Sequence, residues 1–311
     1  MTSSLGSLRV AFESSGSPSW VMHVIRTRRL DHFNDFHLDL ALGGDLGDSN
    51  VQATQTILAD GRADLIDTDW LSIARSRQSG PALTAVFPYG RIMGGVVASS
   101  GSSITESLAQ LRGCRVGVIR AKDKNWTVVR AVCRKRHGFD PQMDAQVAEA
   151  MSKSTLVQWL EAGQVEVAVL PWHLVPRMIA SGRFRQLCDV LDLLPDLDVP
   201  SVPTTFFVVR PDFAATRRDL LSAFVAAYTE AVDLMRADEN VWREAAAAPG
   251  DDPDLLNDLR AAWRRRICSE WRDDTARHLD SLFERLRNVG GEESLGVSAL
   301  PRDLFVPALL Q

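Results

Sequence analysis

The sequence lacks the features of a membrane protein and of a zinc or redox protein. No stretch of its 311 residues approaches the roughly 20 consecutive apolar residues that a membrane-spanning helix needs. The first residues show no basic segment, apolar core or cleavage site of a secretory signal, so the chain as written is expected to be cytoplasmic. A start further upstream would instead make it periplasmic or cell-surface. The four cysteines, Cys114, Cys133, Cys188 and Cys268, are widely spaced without a CxxC pair. We therefore expect no membrane span, no metal site and no cofactor.

The charge balance also excludes a class of partner. Charged residues make up 24% of the chain and the formal net charge is −5, which argues against nucleic acid as the main partner. Two basic clusters, at 130–137 and 260–266, fall in helical patterns and are interpreted as solvated helix faces. No GxGxxG, GKS or GKT segment is present, so the sequence gives no support for nucleotide binding through a phosphate loop.

The central feature is the stretch 103–126. Ser103 is a candidate cap of a short helix that ends at Gly113, and residues 114–119 form a buried, β-branched strand. The polar loop 120–125 follows, and another helix begins near Trp126. A polar loop between a strand end and a helix N-terminus commonly binds small or anionic ligands in open α/β folds, although it also occurs as a plain connection. The loop would offer a ligand Lys122, Lys124, Asn125 and Trp126.

The same pattern recurs near the N-terminus. Residues 8–12 predict a strand, and Pro18 suits the first turn of the helix that follows. Ser14, Ser15 and Ser17 lie in the loop between this strand and helix, where they could bind an anion or only cap the helix. Trp20 could form a flat apolar wall of a ligand site or belong to the hydrophobic core. The candidate ligand-binding residues here are Ser14, Ser15, Ser17 and Trp20. A second strand, 36–42, leads into a glycine-rich loop that carries Asp45 and Ser49.

Two further strand ends carry candidate site residues. The strand 63–68 runs into Asp69, which is expected to cap a helix that begins at Trp70. Asp67 and Asp69 could serve acid/base or metal chemistry, but a turn residue and a cap are the favoured interpretation. The strand 165–170 ends in a loop that carries Trp172 and His173.

The remaining chain predicts two sets of βα units joined by extended crossings. Strands 84–88 and 91–98 are separated by proline and glycine, and the strand 204–209 returns before the chain becomes helical. The apolar residues between 220 and 235 repeat at helical spacing and predict a core-facing helix.

Several segments resemble the nitrate/sulfonate/taurine (NitT/TauT, or NMT1/THI5-like) family of ABC-transporter substrate-binding proteins. The stretch 102–118, SSITESLAQLRGCRVGV, is similar to the family segment SPIKSLADLKGKKVGV. LRVA at 8–11 and LADGRADL at 58–65 also match. DWL at 69–71, KDKNW at 122–126 and PWH at 171–173 are similar to a subgroup with DWLW, DKSW and FWH. The resemblance extends from Leu8 to about Arg236.

The resemblance implies an α/β fold of the type II periplasmic-binding-protein architecture. Two α/β domains, 1–88 plus 205–311 and 89–204, would be joined by extended hinge crossings and close over a small molecule. The implied ligand is a small organic anion, such as a sulfonate, a carboxylate or an aromatic acid, held by the loops described above. We expect a monomer that would meet an ABC permease if it is exported.

Enzymes with a similar sequence pattern provide the alternative. Desulfinases, decarboxylases and pyrimidine-precursor synthases resemble this family, and a cytosolic enzyme would need a reactive group in the cleft. The first loop has serines where a desulfinase would have a cysteine, and no cysteine-rich motif is visible. His173 is the candidate general base, although it could simply orient a ligand. We favour binding over catalysis, and a ligand sensor that signals to a partner is equally compatible with the sequence.

Overall fold

The computed structural model describes residues 4–43, 50–92, 94–104, 107–301 and 303–305. Two five-stranded mixed sheets, each flanked by helices, form the core. This confirms the predicted α/β class with two sets of βα units. No helix in the described part of the chain combines the length and the apolar character needed to cross a membrane.

The first sheet has the order β2-β1-β3-β10-β4. Its strands are β1 (Ser7–Glu13), β2 (His37–Gly43), β3 (Leu65–Asp69), β4 (Thr84–Gly90) and β10 (Thr205–Val209). β1 pairs in parallel with β2 and β3, whereas β10 runs antiparallel between β3 and β4. Every residue of β10, with sequence TFFVV, is buried, as expected for a central strand covered on both faces.

The second sheet has the order β7-β6-β8-β5-β9. Its strands are β5 (Gly94–Ser99), β6 (Arg115–Val118), β7 (Gln146–Glu149), β8 (Val167–Pro171) and β9 (Phe184–Asp189). β6 pairs in parallel with β7 and β8, and β5 runs antiparallel to β8 and β9. The sequence did not predict β7, because this short edge strand is largely exposed and lacks an apolar run.

Helices cover both sheets and form most of the C-terminal third. They are α1 (Ser17–Thr27), α2 (Leu30–Phe33), α3 (Asn50–Ala59), α4 (Trp70–Ser79), α5 (Lys124–His137), α6 (Pro141–Asp144), α7 (Lys153–Glu161), α8 (Val175–Ala180), α9 (Pro211–Thr216), α10 (Arg218–Ala237), α11 (Glu239–Ala246), α12 (Pro253–Arg266) and α13 (Thr275–Leu295), with 3-10 helices at Leu108–Leu111 and Val190–Leu197. The apolar stripe of α10 faces the core, which confirms the interpretation of its periodicity.

The start of the central stretch differs from the prediction. Instead of a helix capped by Ser103, the structure has one 3-10 turn, Leu108–Leu111, capped by Ser107. The Ser107 hydroxyl accepts a hydrogen bond from the Ala109 N–H at 3.2 Å, and Gln110 accepts one from the Ser107 N–H at 3.4 Å. This capping box marks the start of the turn, which the sequence had placed four residues too early, at Ser103. The Ser103 carbonyl accepts a hydrogen bond from the Gln110 side-chain amide at 3.2 Å.

The chain crosses between the two sheets twice, from β4 to β5 and from β9 to β10. The domain boundaries remain a prediction. β4 continues to Gly90, two residues beyond the expected boundary. The C-terminal α13 packs against α5 and the 3-10 helix Val190–Leu197, so the final helices also contact the elements around the second sheet.

Candidate functional site

A cavity of about 150 Å³ lies between the two sheets. It is reached by the carboxyl ends of β1, β3 and β8 and by the N-termini of α1, α4, α5 and α7. This placement follows from topology, because parallel strands bring their carboxyl ends to one edge of a sheet. A cavity of about this volume in other proteins holds a molecule of the size of benzene.

The structure brings seven of the predicted site residues together around this cavity. Ser15, Ser17 and Asp69 approach from the first sheet, and Lys124, Asn125, Trp172 and His173 approach from the second. These residues are far apart in the sequence, but each lies where a strand ends or a helix begins, in the strand–loop–helix pattern that recurs in both halves of the chain. These residues remain predicted ligand contacts.

The N-terminus of α1 opens into the cavity without a side-chain cap. Gly16 occupies the N-cap position with φ 95°, and no side chain accepts a hydrogen bond from the first turn. The Ser17 hydroxyl is buried and has no hydrogen-bond partner within the described part of the chain. Ser19 donates its hydroxyl to the Gly16 carbonyl at 2.9 Å, so it is already occupied. The free N–H groups and the helix dipole make this end of α1 suited to an anion.

Three other buried polar atoms in the cavity wall lack a hydrogen-bond partner among the described residues. They are Thr68 Oγ1, Asn125 Oδ1 and His173 Nε2, and each belongs to a residue less than 10% exposed. Buried polar groups are nearly always hydrogen-bonded in folded proteins, because an unmade hydrogen bond costs free energy. Unpartnered groups that surround one cavity therefore indicate a polar ligand.

Two carboxylates at the end of β3 have different environments. The Tyr89 hydroxyl donates a hydrogen bond to Asp67 at 2.5 Å, and burial raises the pKa of Asp67 above its ordinary value. Asp69 caps α4 and accepts hydrogen bonds from Ser72 N–H at 3.0 Å and Ser72 Oγ at 2.8 Å. Burial opposes its ionisation, but the charges of Lys124 and Arg75 and the Ser72 bonds hold its pKa below the ordinary value. The predicted cap is thus present.

An ion pair between Lys153 and Glu13 spans the cavity from the first turn of α7 to the end of β1. Burial lowers the pKa of Lys153 to about 8. His173 is also affected: burial, followed by the charges of Lys153 and Arg177, lowers the pKa of its imidazole well below the ordinary value. At neutral pH, His173 is therefore a neutral hydrogen-bonding group.

The four tryptophans expected from the sequence to contact a ligand lie at different distances from this cavity. Trp172 lines the cavity, but Trp20 lies behind it in the core, with the two ring centroids 5.6 Å apart. Trp70 and Trp126 are both 0% exposed and belong to the hydrophobic core. Both occupy the first turn of a helix and point toward the packed side, so they do not reach the cavity.

Lys122 and Ser14 also lie away from this cavity. Lys122 lines a neighbouring cavity with Arg75 and Arg120, and its ammonium lies beside Gly296. Ser14 is exposed and does not line the cavity. Asp45 and Ser49 fall outside the described residues.

Several lining residues were missed by sequence reasoning. Glu13, Tyr89 and Lys153 are three charged or polar examples, each with a partner in the structure. Lys153 follows Ser152, which caps α7 by accepting a hydrogen bond from the Thr155 N–H at 3.0 Å. The Ser-x-x-Thr spacing was a usable helix-start signal, but the preceding strand β7 was not recognised, so the loop was not placed at a strand end.

Solved structures with the same fold include sulfonate-binding proteins. The chain is similar to the alkanesulfonate-binding protein SsuA of Xanthomonas axonopodis pv. citri bound to MOPS, with TM-score 0.72, 14% identity and 98% of each chain covered. It is also similar to the periplasmic aliphatic sulphonate binding protein SsuA of Escherichia coli, with TM-score 0.68, 15% identity and 92% and 94% of the two chains covered. A putative sulfonate ABC transporter protein of Methylobacillus flagellatus KT has TM-score 0.71, 13% identity and coverage of 99% and 93%.

These likenesses establish the fold of periplasmic binding proteins. No curated protein matches the sequence. The model of the family described as NMT1/THI5 like matches residues 22–240, which is more than half of the chain. The matched region contains β2 to β10, most of α1 and most of the cavity lining. The chain therefore belongs to the NMT1/THI5-like family.

Proposed function

We propose that this protein is a solute-binding protein that holds a small organic anion in the cavity between its two sheets. The observation that carries the proposal is the N-terminus of α1, which faces the cavity without a side-chain cap and beside the unpartnered Ser17 hydroxyl. An anionic group placed there would accept hydrogen bonds from the hydroxyl and from free backbone N–H groups.

The charges around the cavity support an anionic ligand of low total charge. Lys124 and Arg120 line the cavity, while the charge of Lys153 is balanced by Glu13. Asp69 and Asp123 are already engaged as helix caps, and Asp67 accepts a hydrogen bond from the Tyr89 hydroxyl. Each acidic residue of the cavity wall thus already has a protein partner, which leaves Lys124 and Arg120 as the charged groups offered to a ligand.

The rest of the wall supports a ligand with a compact organic part. Trp172, Ile119 and Met151 offer apolar surface, whereas Thr68, Asn125 and His173 offer unpartnered polar atoms. A small sulfonate or carboxylate with an apolar body and one further polar group would satisfy both sides. The sulfonate-binding proteins of the same fold are consistent with this class.

The two sheets already contact each other around the cavity. Lys153 pairs with Glu13, Trp172 packs on Trp20, and the His173 ring approaches Gly16 so closely that an added Cβ would lie 3.4 Å from Nδ1. These contacts would enclose a bound ligand and exclude water. On this proposal the protein acts as a monomer and delivers its ligand to an ABC permease.

The proposal is tested by isothermal titration calorimetry with methanesulfonate, ethanesulfonate, acetate and benzoate. We expect at least one of these anions to bind the wild-type protein. Ser17→Ala and Lys124→Gln should each weaken that binding by about tenfold or more, because each removes a hydrogen bond or charge offered to the anion. Lys122→Gln is the matched control, since Lys122 lies in the neighbouring cavity, and it should bind as wild type. Equal losses in Lys124→Gln and Lys122→Gln would contradict the proposed site.

His173 keeps a catalytic alternative open to experiment. Its imidazole is buried, neutral and has an unpartnered Nε2 in the cavity wall, which are properties of a general base. Mass spectrometry of a bound anion after long incubation separates the two functions. Recovery of unchanged ligand supports binding, whereas turnover that His173→Ala abolishes would establish an enzyme.

A further inference from the structure

Three side chains at the edge of the first sheet form a cluster of possible metal ligands. Asp31 and His32 lie on α2, and His37 begins the edge strand β2. One donor atom from each residue lies within 4.8 Å of the others. All three line one surface cavity, near the end of the sheet opposite the ligand cavity, because β2 starts where β1 starts.

Asp31 provides the strongest indication of a missing partner. Its side chain is 5% exposed, and its Oδ2 accepts a hydrogen bond from the Leu38 N–H at 3.0 Å. Its Oδ1 is buried and has no hydrogen-bond partner among the residues that the structure describes. A buried carboxylate oxygen without a partner is costly, and a cation bound at this oxygen would offset that cost.

The two imidazoles complete a set of ligands that suits zinc. The ring centroids of His32 and His37 are 6.1 Å apart, and His37 Nδ1 lies 4.0 Å from Asp31 Oδ2. Zinc binds imidazole nitrogen and carboxylate oxygen at about 2.0–2.2 Å, so the donor atoms around one ion lie roughly 3.4 Å apart. Both histidines are exposed, so their rings are free to turn toward the carboxylate when an ion binds.

The backbone holds Asp31 close to the start of β2. Arg29 and Asp35 adopt left-handed conformations, with φ 57° and 59°, that turn the chain before and after α2. The Phe36 N–H donates to the Asp31 carbonyl at 3.0 Å, in addition to the Leu38 bond to the carboxylate. The carboxylate is thus oriented before any metal arrives, as supporting hydrogen bonds do in metal sites.

We propose that Asp31, His32 and His37 bind one Zn²⁺ ion, with the remaining coordination position open to water. Imidazole with carboxylate favours zinc over magnesium or calcium, which prefer oxygen ligands. Arg26 and Arg29 line the same cavity, and their charges limit the affinity, although exposed charges are screened by salt. The ion would join α2 to the edge strand. Sequence reasoning did not predict this site, because its ligands are not in a cysteine–histidine pattern.

The test is calorimetric titration of Zn²⁺ into the purified chain, with no tag that contains histidine. The wild-type protein should bind one Zn²⁺, and His32→Ala and His37→Ala should each lower the affinity by at least about tenfold. His23→Ala is the matched control, because His23 is an exposed histidine on α1 that lines a different cavity. It should retain wild-type affinity.

A second measurement does not depend on the variants. In NMR spectra of the wild-type chain, the imidazole signals of His32 and His37 should shift on Zn²⁺ addition, and those of His23 and His173 should not. The proposal is overturned if the wild-type chain binds no Zn²⁺ at 100-fold molar excess. It is also overturned if His23→Ala loses as much affinity as His37→Ala, which would show diffuse surface binding.

Discussion

The indole of Trp172 stands edge-on to the indole of Trp20, with the ring centroids 5.6 Å apart and the planes at 86°. Trp20 lies on α1 beside the first sheet, and Trp172 follows β8 of the second sheet. The pair therefore packs the two halves of the chain together directly beside the ligand cavity. Only the Trp172 member of the pair lines that cavity.

This arrangement predicts different effects for substitutions of Trp172. Trp172→Ala should weaken binding of the anion identified by calorimetry by about tenfold or more, because it removes apolar surface from the cavity wall. Trp172→Phe should retain most of the affinity. Trp159→Ala, on the partly buried face of α7 away from the cavity, is the control and should bind as wild type. A wild-type affinity in Trp172→Ala would exclude this wall as a ligand contact.

Trp126 is predicted to matter for stability. Its ring is 0% exposed, and its Nε1–H donates to Gln142 Oε1 at 2.7 Å. Trp126→Ala should lower the free energy of unfolding by about 3–5 kcal/mol, the range seen for large-to-small core substitutions. Urea denaturation followed by circular dichroism measures this loss. An unchanged unfolding midpoint with weakened ligand binding would mean that Trp126 faces the ligand after all.

The lowered pKa of Lys153 leads us to expect that ligand affinity changes with pH. Its pKa is lowered by burial to about 8, so the ammonium loses its proton as the pH rises from 7 to 9. The cavity wall then loses one positive charge, so it attracts an anion less strongly. Affinity should therefore fall across this range in wild-type protein. In Lys153→Met the fall should be absent, and calorimetry at pH 7, 8 and 9 compares the two.

The same pKa shift acts in the opposite direction on folding. Between pH 8 and the ordinary lysine value of 10.5, the unfolded chain binds more protons at this residue than the folded chain. The contribution of Lys153 to stability should therefore rise with pH in this window. Urea denaturation of wild type and Lys153→Met at pH 8 and 10 measures it, and the difference between the two proteins should change in favour of wild type at the higher pH.

Gly16 combines two constraints that can be separated by mutation. Its φ is 95°, and an added Cβ would lie 3.4 Å from the His173 ring. Gly16→Ala should lower the free energy of unfolding by about 1–2 kcal/mol from backbone strain and also weaken ligand binding by displacing His173. Gly61→Ala is the control, because Gly61 has φ 69° but nothing within 4 Å. Gly61→Ala should also lower the free energy of unfolding through backbone strain, but its ligand affinity should equal that of the wild-type protein.

The sequence predicted the fold well because its strong signals are local. Buried strands such as β10, and helix starts such as Asp69 before Trp70, depend on residues within a few positions of one another. The family resemblance then implied that the loops after β1 and β3 of one sheet and after β6 and β8 of the other meet at one cleft. The weak signals failed, as with the exposed edge strand β7 and the misplaced cap of the 3-10 turn at Leu108.

The site was less predictable because side-chain direction depends on tertiary packing. Trp126 and Trp172 both follow strand ends, yet the first turns into the core and the second toward the cavity. Lys122 and Lys124 are two residues apart and line different cavities, since Lys124 is the first residue of α5 and Lys122 precedes its cap. Lys153 and Glu13, which pair across the cavity, are 140 residues apart, and no local pattern links them.

The position of β10 sets an order in which the two sheets can be completed during synthesis. β10 pairs with both β3 and β4, so the first sheet lacks its inner strand until residue 209 has been made. All strands of the second sheet lie between residues 94 and 189. During synthesis on the ribosome, the second sheet can therefore be completed first. At that stage β3 and β4 of the first sheet still lack β10, the strand that joins them.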